Sequence, residues 1–282
     1  MKFKTMIVQV YRQRLGAALL IVSVSAAFLL GWACIWASAA FSEPSERAED
    51  SPVVLELFTS QGCSSCPPAD ALLSELGSST KDVIPLAYHV DYWNHLGWSD
   101  PFSSRLFSKR QSDYARGMNL EDDYTPQMVV GGEQQFVGSD RQGITRGIAI
   151  ARQAPVLGRV GLHPFLSPSG SHRLRIKLKA QMAHESGTRR SLMMVAIFEN
   201  AIVTKIHRGE NGGRQITYDY TVRRLLSAFE FDAAPGTSVD KELNVDLDPS
   251  WSLSHLGVAA FIQNPISLRI NGAASEYPIA RN

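Results

Sequence analysis

Apolar and polar positions along the chain fall into two textures. The first begins with an unbroken apolar run, Val53 to Phe58, of the length and β-branched content of a buried strand. A polar turn, Thr59 to Gly62, leads into Cys63-Ser64-Ser65-Cys66 and Pro67-Pro68. Helical spacing follows, with Ala69, Leu72, Leu73 and Leu76 on one face, and Gly77-Ser78-Ser79 stops it. Val83 to Val90 predicts a second strand. Asp100-Pro101 predicts a helix start, with Asp100 as N-cap and Pro101 at the first helical position. That helix carries Phe102, Leu106, Phe107 and Tyr114 and fades near Gly117. Thr125-Pro126 opens a short apolar strand, Gly131-Gly132 closes it, and Gln134 to Val137 pairs back as a hairpin. Gly143 to Ala154 predicts a small-residue helix. Residues 52–154 thus read β-α-β-α-β-β-α.

After Pro155 the texture changes. His172 to Ala180 alternates strictly, with Leu174, Ile176, Leu178 and Ala180 directed inward. Further strand-like runs are Leu192 to Phe198, Ala201 to His207, Arg214 to Tyr220, Lys241 to Leu247, Leu256 to Gln263 and Ser267 to Asn271. Many short strands with close turns and little helix predict a mainly antiparallel β-sandwich over residues 155–282.

The N-terminus changes the compartment. Lys2, Lys4, Arg12 and Arg14 precede an uncharged stretch from Leu15 to Phe41 that ends in small residues, with Ala37-Ser38-Ala39 as a cleavage site. Residues 1–40 therefore read as a signal peptide. The long apolar core also fits an uncleaved membrane anchor. Residues 41–51 form a polar, acidic lead-in. The chain has 28 basic and 27 acidic residues; without the four leader cations, 24 basic face 27 acidic, a net charge of −3. No nucleic-acid footprint is present. Of three cysteines, Cys34 lies in the leader, so if the leader is removed only Cys63 and Cys66 remain for an internal disulfide.

The order strand, loop, Cys-x-x-Cys, helix carries the chemistry. A helix N-terminus offers unpaired N–H groups and the positive end of the helix dipole. A cysteine there ionises readily, and the thiolate is the reactive form. Cys66 lies close enough to close a disulfide with Cys63. A redox pair is the favoured reading, ahead of a static disulfide and of a metal site, for which no second ligand pair exists. Asp91, Tyr92 and Trp93 follow the second strand. In a parallel sheet they would share the ligand-binding edge with Cys63, or else Trp93 and Trp98 are core residues beneath a loop. Arg208-Gly209-Glu210-Asn211-Gly212-Gly213-Arg214 is the densest polar cluster of the second half. It reads first as a Gly-rich turn with solvated charges, and second as a surface in which Arg208, Glu210 and Arg214 face the redox site.

This order, with Thr125-Pro126 opening the third strand, resembles the thioredoxin fold. The resemblance implies a cis Thr125–Pro126 bond that faces the cysteines and shapes a groove for a substrate peptide. It also points to Glu56 as the counterpart of a buried first-strand acid that assists proton transfer, although Glu56 stands one residue further from its cysteine; the competing reading is an edge-strand glutamate facing water. Gly62 replaces the tryptophan before the first cysteine, and Ser64-Ser65 replaces Gly-Pro between the two. More narrowly, LFTSQGCSSCPPAD, AYHVDYWNHLGW, TPQMVVGG and RGENGGR resemble a family of uncharacterised secreted bacterial proteins with a thioredoxin-like domain.

The expected fold is therefore an α/β thioredoxin-like domain over 52–154 followed by the β-sandwich. The expected function is thiol–disulfide exchange in the periplasm or outside the cell, without a cofactor. Cys63 would be the attacking or attacked sulfur and Cys66 the resolving one, with protein thiols or disulfides of the cell envelope as partners. Two alternatives belong to other classes: a non-catalytic envelope binding module, and a Cu(I)-handling protein in which His89 or His95 assists the thiolates.

Overall fold

The structure, a computed structural model, describes residues 51–167 and 172–281. The expected leader and nearly all of the lead-in lie outside the described residues. The chain is mostly β, with one large mixed sheet and three α-helices among the described residues.

The first segment follows the order that its hydrophobic pattern predicts: β1 (Val53–Thr59), α1 (Pro67–Ser79), β2 (Val83–His89), α2 (Arg105–Gly117), β3 (Gln127–Val130), β4 (Gln134–Val137) and α3 (Arg141–Ala151). β1 and β2 are parallel, and β1–β3 and β3–β4 are antiparallel. Both parallel strands are buried along their whole length, as continuous apolar runs require. Alternation divides the β1 side chains between two faces. Leu55 and Leu57 pack with Ala69, Leu72 and Leu73 of α1, while Val54 and Phe58 pack with Phe107 and Tyr114 of α2.

One helix boundary differs from expectation. α2 starts at Arg105, capped by the Ser104 hydroxyl on the Leu106 N–H. Asp100 does not cap it. Its carboxylate accepts from the Phe102 and Gln61 N–H groups and meets the ring of His89.

The second segment contributes β5 (Gly158–Leu166), β6 (Arg173–Met182), β7 (Arg190–Glu199), β8 (Ile202–Lys205), β9 (Gln215–Tyr218), β10 (Thr221–Asp232), β11 (Ser238–Asp246), β12 (Leu256–Gln263), β13 (Ile270–Glu276) and β14 (Ala280–Arg281). β5, β10 and β14 were not among the expected strands, and β13 overlaps the expected Ser267 to Asn271 only at its start and runs on to Glu276. β10 is the strand that joins the segments. It runs antiparallel to β7, and it meets β2 in parallel at Thr221 and Ala87. The large sheet has the order β13-β12-β7-β10-β2-β1-β3-β4, so strands from both sides of residues 154 and 155 share it.

A four-stranded sheet, β11-β6-β5-β14, covers one face of the large sheet. Leu174, Ile176, Leu178 and Ala180 are buried, as their alternation predicts, in one core with Val195, Ile197, Val258 and Ile262. Where β13 passes β5 the backbones nearly touch: a Cβ on Gly272 would lie 1.9 Å from the Gly158 carbonyl oxygen. Gly272→Ala must therefore push the sheets apart and will cost about 1–3 kcal/mol, measurable by urea unfolding.

Candidate functional site

Cys63 and Cys66 form a disulfide, with Cα atoms 5.4 Å apart, at the entry of α1. Cys66 is the N-cap residue, with Pro67 and Pro68 in the first turn, where their missing N–H groups cost nothing. The backbone tightens there in successive turns, Cys63 N–H to Ser60 O and Cys66 N–H to Cys63 O. Neither cysteine exposes any surface, whereas Ser64 and Ser65 are exposed.

Three segments enclose the pair. The first follows β2. A Cβ on Gly62 would lie 3.1 Å from that of Trp93, so Trp93 packs against the residue before Cys63. The Trp93 indole donates to the Thr125 hydroxyl at 2.8 Å, which ties this segment to the second one. The Thr125–Pro126 bond is cis and Pro126 is buried. A Cβ on Gly138 would lie 2.8 Å from that of Pro126 and 2.9 Å from that of Ala69, which places Pro126 beside the first turn of α1. Trp98 donates to the Gln61 side chain at 2.9 Å.

The third segment is the turn between β8 and β9, which contains Arg208 to Arg214. The Asn211 side-chain amide, itself buried, donates to the carbonyls of Gln61 at 3.0 Å and Cys63 at 2.8 Å. The Ser64 N–H donates to the Glu210 carboxylate at 2.9 Å, and the Ser64 hydroxyl first, with this N–H second, holds the Glu210 pKa below its ordinary value. The turn thus closes over the disulfide loop from about 150 residues away.

The expected site residues divide accordingly. Cys63, Cys66, Trp93, Thr125, Pro126 and Glu210 come together. Tyr92 turns towards α2, donating to Gln111, and Asp91 accepts from Ser108. Arg208 and Arg214 carry exposed side chains on the capping turn. Glu56 is not brought to the cysteines. It points to the opposite face from α1, where Arg110 grips it with two bonds, 2.7 and 3.0 Å, and Tyr114 donates a third. Its carboxylate is committed to that ion pair.

The buried acid on the disulfide side is Asp70, four residues after Cys66 and so on the same flank of α1. Neither Asp70 oxygen has a hydrogen-bond partner. Burial pushes its carboxyl up to about 6, against the opposing pull of His89. His89 is wholly buried, with Nδ1 2.7 Å from Asp100 and Nε2 unpartnered. Burial opposes the imidazolium, but Asp100 outweighs it and raises the His89 pKa; in return His89 holds Asp100 below the ordinary carboxylate range despite burial. Tyr218 of β9 closes the cluster, its ring centroid 5.2 Å from that of His89. Asp70 was not among the expected site residues; the signal that could have found it is its place as the single acid on the apolar face of α1. His89 with Asp100, and Asn211, carried no local signal.

Among the described residues, no three His, Cys, Asp or Glu side chains converge as a metal site, and no helix is long and apolar enough to cross a membrane. A disulfide is at home in an oxidising compartment.

A family model described as "Protein of unknown function (DUF1223)" matches residues 54–263. No curated protein matches the chain. Among solved structures, the chain is similar to protein AGR_C_4864 from Agrobacterium tumefaciens, with 26% identity over 82% of this chain and 96% of that one, and a TM-score of 0.63. It is also similar in fold to HBP35 of Porphyromonas gingivalis, with 16% identity over 80% of this chain and 75% of that one, and a TM-score of 0.62.

Proposed function

The chain belongs to the family of unknown function DUF1223, and from that premise we propose that it is an exported thiol–disulfide oxidoreductase whose redox couple is Cys63–Cys66. The observation that carries this reading is the setting of the disulfide, at a helix N-terminus, with Trp93 packed on the adjoining Gly62 and bonded to Thr125. In this reading residues 52–154 are a thioredoxin-like unit, and the strands after Pro155 form a sandwich that also supplies the capping turn.

The exchange runs in two balanced steps. A thiolate of a partner dithiol attacks the Cys63 sulfur, forming a mixed disulfide and breaking the bond to Cys66, which leaves as a thiolate. The partner's second thiolate then attacks its own sulfur in the mixed disulfide, and Cys63 leaves. The partner is oxidised to a disulfide and the pair is reduced to two thiols. In this reading Asp70, raised to about 6 and one turn from Cys66, supplies the proton that Cys66 takes up. Run backwards, the same steps reduce a partner disulfide and restore the Cys63–Cys66 bond.

Cys63→Ser will abolish exchange with a reduced model protein, read by thiol alkylation and mass spectrometry. Full activity in that variant would sink the proposal. The second reading, a static disulfide in a binding module, is favoured by the complete burial of both cysteines under the β8–β9 turn. The reduction potential decides between them. A value of roughly −120 to −270 mV marks a working couple, and one well below about −300 mV marks a structural bond.

A further inference from the structure

The β8–β9 turn makes two different kinds of contact with the disulfide loop. Asn211 holds backbone carbonyls of Gln61 and Cys63, an interaction indifferent to charge on sulfur. Glu210 instead places a carboxylate on the Ser64 N–H, 2.9 Å away. That N–H lies between the two cysteines at the entry of α1, where free N–H groups and the helix dipole stabilise an anion. In the disulfide state the sulfurs are neutral, so Glu210 is the anion there. After reduction, a Cys63 thiolate draws on the same positive end. Two anions then share one donor site, and like charges at short range repel.

We propose that Glu210 is a positioning residue that couples closure of the β8–β9 turn to the redox state of Cys63–Cys66: the disulfide holds the turn shut, and the thiolate formed on reduction expels it. This rests on the exchange reading above and deepens it. It explains how a disulfide with no exposed surface can belong to a redox couple. Electrons arrive from a partner dithiol during a transient opening, the two cysteines become thiol and thiolate, and the turn stays open until the pair is reoxidised. The coupling is reciprocal. A carboxylate that disfavours the thiolate favours the disulfide, so Glu210 sets the couple to a more reducing potential than it would otherwise have. The lowered pKa of Glu210 fits this, because Ser64, through its hydroxyl and its N–H, favours the charged carboxylate in the oxidised protein.

The test uses the isosteric, exposed variant Glu210→Gln in the full chain, equilibrated against glutathione in mildly alkaline buffer. The exchange equilibrium should shift about tenfold towards the reduced pair, which is about 30 mV more positive for a two-electron couple. Hydrogen exchange supplies the second readout. In the native sequence, the Gly212, Gly213 and Arg214 amides should exchange about tenfold faster after reduction by dithiothreitol. In Glu210→Gln, reduction should change them far less. An unchanged potential in Glu210→Gln, or equal exchange of these amides in both redox states, overturns the coupling. Failure of the exchange reading itself appears elsewhere, as unimpaired activity of Cys63→Ser or a native potential below about −300 mV.

Discussion

Replacing Arg110 by methionine will destabilise the protein by about 3–5 kcal/mol, the cost of leaving a buried charge without its partner. Glu56 has no exposed surface and stands amid Val54, Leu55, Leu57 and Phe58. Arg110 satisfies both of its oxygens, and donates also to Gln263 at 3.1 Å and Tyr114 at 3.0 Å. One guanidinium thus ties β1, α2 and β12 together, with its plane near the rings of Tyr114 and Phe261. Methionine keeps the stem and its packing but removes every donor. At about 2–4 °C per kcal/mol for a chain of this size, the melting temperature should fall by roughly 10 °C. The double variant Glu56→Leu/Arg110→Met should recover most of the loss, because a buried ion pair and a well-packed apolar pair of similar volume differ little in net stability. Denaturant unfolding of the four proteins measures the coupling. A loss under about 1 kcal/mol in Arg110→Met would show that Glu56 is not held as the geometry indicates.

This ion pair also marks where local reading of the sequence stops. Alternation along β1 puts Glu56 on the face away from Leu55 and Leu57, but the cation that claims it stands 54 residues later, on a helix whose orientation no local pattern fixes. Asp100 shows the same effect at closer range. Asp-Pro before an apolar helical run is a sound N-cap signal, yet a carboxylate has several lone pairs and the His89 ring competes for them. Ser104 then caps the helix instead. β10 escaped for a different reason. Its register breaks between Val222 and Arg224 and again between Ser227 and Phe229, so alternation fails along the twelve-residue strand. In β5, Gly158, Gly161 and Pro164 hide a strand in the same way.

The disulfide site divides along the same line. The disulfide, the helix entry and the Thr125–Pro126 segment were legible because each is a short run with one local chemistry. The closure was not. Asn211 and Glu210 belong to a turn that, read alone, is a Gly-rich connection between short strands, and its role arises only because the β8–β9 hairpin, just before β10 joins β2, lays that turn on the Gln61–Ser64 loop. The acid of the site follows from both kinds of information. Its place on the apolar face of α1 is periodic. That it lacks a partner, and that a committed His89–Asp100 pair stands near it, are tertiary facts.

Asp70→Asn will therefore stabilise the protein at pH 7, by about 3 kcal/mol, and leave it nearly unchanged at pH 3.5. The sign follows from burial, which raises the pKa. The carboxyl titrates near 6 when folded and near 3.8 when unfolded, so between these values the folded chain binds a proton that the unfolded chain has released. The native state thus loses stability as pH rises through this window, and the cost is fully present above about pH 6. Moving the titration from 3.8 to about 6 corresponds to about 3 kcal/mol, which is an upper value because neighbouring groups relax when Asp70 ionises. Asparagine is uncharged throughout, so the variant should lack this fall in stability between about pH 4 and 6. Chemical unfolding across that range measures it directly. A variant less stable than the native chain at pH 7 would mean that Asp70 makes a compensating interaction as an anion, and would remove it as the proton donor to Cys66. If the variant is instead more stable but exchanges disulfides more slowly, Asp70 is a strained group kept for its chemistry, since a role in folding alone predicts the gain in stability without the loss in rate.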